Sequence, residues 1–366
     1  MKDQGVKSKR GAILVFVLAL IVFISVLCLR LMEETVQELR HVSQHHRRDD
    51  LRVNAYSALD LAAGVLNEFK SIEGALYDPT QGWGDPLSWA EVSPLDPMIT
   101  WDIKIVDESA KINPRNASKK DLIAMFALMH NKTGSRPDQD DGEPYYDAWM
   151  DWEDADDDER EEGAEDNYYD KFDPPYFTPG KKVQSFEEFR MIKGFSFDED
   201  SNEYMGLFFA ENGSETINMQ NFRSAFSFFN EGPLNINGAS SFLKRFLCGD
   251  NDSLHEEILA GPRFGSGAEP YFTNLADPNL AQLQSIRGIK VSCTASLFRV
   301  IITISRGKAR FKLQAILSAD SKVGKSSREA SSRNPQEKVR PRAAQNVSLN
   351  YPFRILSIRE NENLID

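Results

Sequence analysis

Hydrophobic and polar positions follow three regimes along this chain. From Ala12 to Leu29, AILVFVLALIVFISVLCL has no period and no charge over 18 residues. At about 1.5 Å per residue, a helix of that length crosses most of a hydrocarbon core of roughly 30 Å. Beyond it, Val36, Leu39, Val42, Leu51, Tyr56, Leu59, Ala63, Leu66 and Phe69 recur at three- and four-residue steps, the pattern of an amphipathic helix. No Pro interrupts this stretch and its only Gly is Gly64. The spacing therefore predicts one helix from about Ala12 to Lys70, with residues 12–29 in the membrane and the last turns packed on a globular domain.

The period then shortens to two. In MITWDIKIVDES, Ile99, Trp101, Ile103 and Ile105 alternate with polar residues, as a half-buried strand requires. Helical spacing returns in AKINPRNASKKDLIAMFALM, where Asn116 or Ser118 can cap a helix over 119–130. SFEEFRMIKGF predicts another helix, with Ser185 as cap, Glu188 at the capping-box position and Gly194 as its end. GPLNINGASSFLKRFL repeats the order of turn, Ser and helix seen at 112–130, which suggests a duplicated helical unit. After Ser285 the β-branched runs SLFRVIITIS and KARFKLQAILS flank a hairpin turn at Arg306–Gly307, and PFRILSIRE forms a last strand. Between them, residues 321–348 are polar and net basic, and are expected to form a flexible loop. Long helix, strand, helices and strands again make an α+β chain.

Charge sharpens this picture in one place. The net charge of −13 argues against a nucleic-acid partner, since such affinity comes from Lys and Arg neutralising phosphates. Between Asp138 and Asp170 stand 17 acidic side chains and one Arg. Within that run Asp154, Asp156, Asp158 and Glu165 match positions 1, 3, 5 and 12 of an EF-hand loop, with Asp166 adjacent, while Glu159 replaces the Gly expected at position 6. Carboxylates so close repel one another, and Ca²⁺ suits an irregular multi-carboxylate loop better than Mg²⁺ does. A solvated acidic loop is the competing reading, and Asp151 with Asp154 as a glycosidase-like acid/base pair of a membrane-anchored hydrolase is a third. His41 and His45 have metal-ligand spacing, but HHRRDD reads as a solvated, charge-mixed turn. Cys248 and Cys293 are the only pair outside the anchor, and a disulfide between them is permitted in an oxidising compartment. No Walker A motif, nucleophile elbow or dinucleotide fingerprint is present, and a catalytic role is not expected.

The first residues admit three readings. A secretory signal peptide fits poorly, because the apolar run ends in LRLMEE and not in a small-residue cleavage site. A plain signal anchor would keep Lys2, Lys7, Lys9 and Arg10 inside the cell. A pilin-type leader, residues 1–11, would be cut between Gly11 and Ala12.

Taken in order, DESAKINPRNAS, DWEDADDDEREEGAEDNYY, the PPYFTPG turn with SFEEFRMIKGF, and GPLNINGAS resemble the K-type minor pseudopilins of bacterial type II secretion systems. The resemblance implies a pseudopilin fold: a long N-terminal helix on an antiparallel sheet built from 71–112 and 289–366, with a mainly helical domain, 113–288, inserted between strands. It implies a non-enzymatic subunit at the tip of the periplasmic pseudopilus, starting and capping its assembly for export of folded proteins across the outer membrane. A tip-type minor pilin of a type IV pilus is the neighbouring alternative. Implied partners are the I-type and J-type minor pseudopilins, the major pseudopilin, prepilin peptidase and the lipid of the inner membrane, which the chain would span once with its bulk in the periplasm. The family binds calcium and has a methylated N-terminus after leader removal, here Ala12. Pilin subunits place a Glu five residues into the mature helix to meet the preceding subunit's amine; here that position is Phe16. A tip subunit has no such amine above it, and an unpaired carboxylate in lipid would cost several kcal/mol.

Overall fold

The computed structural model describes residues 10–130, 138–196, 206–262, 270–319 and 353–361. Residues 1–9 of the expected leader and the loop 321–348 lie outside these, and only the backbone is described at Gly11, Ala12, His41, His45 and His46. The first helix, α1 (Arg10–Glu73), runs unbroken for 64 residues. Its Phe16–Thr35 segment is exposed, and long and apolar enough to cross a membrane. Both hydroxyls in this segment are satisfied within the helix, since Ser25 Oγ donates to Ile21 O at 2.8 Å and Thr35 Oγ1 to Leu31 O at 2.7 Å, as a segment in lipid requires.

Along the chain follow α2 (Pro86–Ala90), β1 (Ile99–Asp107), α3 (Lys119–His130), α4 (Glu143–Glu153), α5 (Asp166–Tyr169) and α6 (Ile217–Ala225). Then come β2 (Leu234–Asn235), α7 (Ser241–Cys248), α8 (Asp252–Ala260), α9 (Pro278–Arg287), β3 (Val291–Ser292), β4 (Leu297–Arg306), β5 (Ala309–Ser318) and β6 (Arg354–Glu360). The main sheet has the order β1-β4-β5-β6 and is antiparallel throughout, as the alternating runs require. One face of it, Ile103, Ile105, Phe298, Val300, Ile302, Ile304, Leu313, Ala315 and Leu317, is buried together with Leu51, Ala55, Ala58, Leu59, Ala62, Leu66 and Phe69 of α1. The alanines on α1 let the helix axis come close to the sheet while Leu and Phe fill the gaps between strands.

Register fixes which way this domain points. At one end Arg306, opposite Ile99, pairs with Asp50 at 3.4 Å, and Tyr56 Oη donates to Glu360 at 2.7 Å. At the other end Lys70 Nζ donates to Ala319 O at 3.4 Å, and Ala295 N donates to Leu76 O at 2.6 Å. β1 therefore runs away from the anchor, and the chain leaves the sheet after Asp107 at the anchor-distal end, re-entering it at Leu297 opposite Ser318. All the intervening helices are attached there.

These helices surround an aromatic core. Phe222 lies 4.7 Å from Phe208, 5.2 Å from Phe189 and 6.3 Å from Trp149, centroid to centroid. This core reaches beyond 113–288, to Ile112, Val291 and Cys293, because β3 pairs in parallel with β2 inside it. Ser118 caps α3: its Oγ accepts from Asp121 N at 3.2 Å. SFEEFRMIKGF departs from expectation, forming a 3-10 turn over Phe186–Met191 that closes at Ile192. Phe186 and Phe189 are both buried, and a three-residue period sets i and i+3 on one face. Cys248 and Cys293 are separate thiols, and burial pushes both up to about 11.

The two cores meet at a buried polar joint. Asp107 accepts from Ser109 N at 2.9 Å and from Asn235 Nδ2 at 2.6 Å. Glu108, wholly buried, accepts from Arg299 Nε at 2.6 Å and Lys111 Nζ at 2.9 Å. Burial alone would raise the Glu108 carboxyl, but Lys111 and Arg299 outweigh it and hold the group below its ordinary range. Removing one partner from such a buried set costs about 3–5 kcal/mol, because the others remain charged and unpaired. Glu108→Ala is expected to lower the unfolding free energy of the full chain in detergent by that amount, read from the denaturant midpoint; a loss under about 1 kcal/mol would show the joint to be incidental.

Candidate metal centre

The acidic run folds into a loop between two anchored ends. Its first end is α4, where Pro144 occupies the first turn and Trp149 and Trp152 are buried. Trp152 Nε1 donates to Glu188 at 3.1 Å, and Glu153 accepts from Trp149 Nε1 and Val183 N, both at 2.9 Å. These bonds fix the last turn of α4, so Asp151 and Asp154, three residues apart, have settled positions. The second end is α5, whose N-cap position is Glu165.

Asp151, Asp154 and Glu165 converge, each offering an oxygen within 4.8 Å of the others. That spacing is what one cation can span, since twice a Ca–O distance of about 2.4 Å is about 4.8 Å. Asp151 is fully buried. Its Oδ2 accepts from Arg160 N at 3.1 Å and Ala164 N at 2.9 Å. Its Oδ1 is held by Arg160 Nη1, which also reaches Asp154 Oδ2 at 2.7 Å. The backbone can approach so closely only because residue 163 is Gly: a Cβ there would stand 1.8 Å from Asp151 Oδ2.

Glu165 is left over. It is 3% exposed, and neither of its carboxylate oxygens has a hydrogen-bond partner; Asp154 Oδ1 also lacks one. Burial, then the charges of Asp151, Asp154, Asp166 and Asp156, push the Glu165 carboxyl up to about 7. A buried, partnerless carboxylate beside two others is a donor set for a hard cation, and the residues present therefore fit calcium.

The expected ligand set is only partly assembled. Asp154 and Glu165 are brought together. Asp156 and Asp158 are exposed, and Asp158 N donates to Asp156 Oδ1 at 3.1 Å in a local turn. Asp166 is engaged elsewhere, its Oδ1 accepting from Thr178 N at 2.8 Å and Thr178 Oγ1 at 2.9 Å. The physical reason lies in the turn: EF-hand spacing assumes a Gly at position 6, whereas the close approach here is made by Gly163. The third carboxylate brought to this cluster is Asp151. Its signal in the sequence was a carboxylate on the helical period of Tyr145, Ala148 and Trp152, all buried.

The pH dependence follows from Glu165. Unfolded, it titrates near the ordinary 4.5, and folded near 7. Between these values the native state holds the extra proton, so stability falls as pH rises through the window. Ion-stripped protein is expected to lose up to about 3 kcal/mol from this group between pH 4.5 and 7.5. In Glu165→Gln that component should vanish, and equal pH slopes for the two proteins by chemical denaturation would contradict the assignment.

Comparison with known proteins places these elements. Residues 105–199, which span the joint, α4 and the acidic loop, match the family model described as type II secretion system (T2SS), protein K. The fold is similar to a chain in the crystal structure of the GspK-GspI-GspJ complex from the enterotoxigenic Escherichia coli type 2 secretion system. The TM-score is 0.52 at 16% identity, over 88% of this chain and 99% of that one. No curated protein sequence matches. Residues 105–199 are thus similar to protein K of the type II secretion system, and the arrangement of helices on an antiparallel sheet is similar to that of the solved chain.

Proposed function

We propose that this chain is a K-type minor pseudopilin of a type II secretion system, that it sits at the tip of the periplasmic pseudopilus, anchored in the inner membrane by α1, and that it starts and caps assembly with I-type and J-type minor pseudopilins above the major subunit. The observation that carries this reading is the place of the insertion. Residues 108–296 all leave the sheet at the end furthest from the anchor, so a subunit with its own α1 alongside this one would meet the helical domain if it advanced past it. Subunits can be added below and not above. Phe16 at the fifth position after a cut by prepilin peptidase between Gly11 and Ala12 agrees with a subunit that has no neighbour above it. The solved relative is a complex of GspK with GspI and GspJ, and the same kind of pairing is proposed for this chain.

Calcium belongs to the same proposal. Asp151, Asp154 and Glu165 would hold it, and the ion would supply the positive charge that the buried, partnerless Glu165 carboxylate lacks. Its role is structural.

Full-length tagged chain, co-expressed with the I-type and J-type minor pseudopilins of its own system and extracted in mild detergent, is expected to purify as a three-way complex containing one copy of each. Recovery of this chain with the major pseudopilin alone, or by itself, would overturn the tip reading.

A further inference from the structure

We propose that Arg160 is an internal competitor for the calcium ion: its guanidinium holds the acidic loop together without the ion, and is displaced from Asp151 when the ion binds. This rests on the calcium reading above and concerns a residue that the reading does not use. Three observations carry it. First, Asp151 Oδ2 is committed to two backbone N–H groups, those of Arg160 and Ala164. The oxygen left for a cation is Oδ1, the atom to which Arg160 Nη1 is bonded. An ion that takes Asp151 as a ligand binds the same oxygen as that guanidinium, and the repulsion between two cations a few ångströms apart favours displacing the arginine.

Second, Arg160 neutralises the site incompletely. Its Nη1 serves Asp151 and Asp154, while Glu165, 3% exposed, keeps both oxygens without a hydrogen bond. A compact divalent ion can touch all three carboxylates, which a planar guanidinium anchored on the other two does not. The ion therefore has more to gain at Glu165 than Arg160 does, and this difference drives the exchange.

Third, the displaced side chain has somewhere to go. The Arg160 side chain is already 38% exposed, and Glu159, Glu161 and Glu162 beside it are exposed acids. A guanidinium released from Asp151 gains solvent and new surface partners at little cost. The loop 155–162 would then have two states of similar compactness, one closed by an arginine and one by calcium. Secretion subunits that fold before they meet the ion would keep a formed loop in the interval.

The test uses full-length protein in detergent, stripped with chelator and titrated with calcium chloride in a calorimeter. Arg160→Gln is expected to bind calcium about tenfold or more tightly than the wild type, because a like charge within a few ångströms of the ion has been removed. If the wild type binds and Arg160→Gln binds equally or more weakly, the exchange is overturned while the calcium site stands. If neither binds, both readings fall. A second measurement needs no variant: phenylglyoxal modification of Arg160, followed by peptide mass spectrometry, should be faster in calcium than in chelator. Equal or slower modification in calcium would also overturn the exchange.

Discussion

The rest of the molecule depends on a short buried passage at the far end of β1, where the chain leaves the sheet. Over Asp107, Glu108 and Ser109 it passes from one hydrophobic core into another with no exposed linker between them. Backbone and side chains there must find partners inside the protein, since an unpaired buried polar group costs a sizeable part of a domain's net stability. They find them across long sequence distances: Asn235 N on Ser109 O at 2.8 Å, Asn230 Nδ2 on Lys111 O at 2.7 Å, and Arg299 on Glu108. The helical domain is thus held rigidly at the anchor-distal end of the sheet and is not tethered loosely beside it. A swinging domain would leave room for another subunit above; a fixed one closes that side.

The acidic loop answers a different constraint, that three carboxylates cannot share a dry site without a positive charge. The chain supplies half an answer with Arg160 and leaves Glu165 facing two neighbours of its own sign. Such a site is poised by construction. Its remaining imbalance is what an ion would relieve. The loop lies between α4 and α5 in the aromatic domain, so its state bears on the part of the protein inserted between β1 and β4.

Much of this fold can be read directly from spacing. The packed half of α1 and strand β1 announce themselves by period, β4 and β5 by their β-branched and apolar runs, buried almost continuously at Leu297–Val300 and Leu313–Leu317, and Ser118 marks the start of α3 by its chemistry. The candidate site is less transparent. Asp154 and Glu165 follow from the spacing of an ion-binding loop, but Asp156, Asp158 and Asp166 do not, because that spacing presumes a turn at residue 159 which the chain makes instead around Gly163. Asp151 was legible only as one half of an acid/base pair with Asp154, because its place at the end of a helix puts it outside the spacing of an ion-binding loop; its burial shows it beside Glu165. The joint could not be read at all. Glu108 and Arg299 stand 191 residues apart, and no local pattern tells which arginine will meet which glutamate.

The proposed tip role is a matter of position: a helical domain fixed at the anchor-distal end of the sheet would stop further addition, so that this subunit would end the fibre. Electron microscopy of pseudopili sheared from cells, with a gold label on an exposed site of the helical domain, tests it most directly. One gold particle per fibre, always at the same end, is the expected result. Particles spaced along the shaft, or fibres that extend beyond the label, would contradict it.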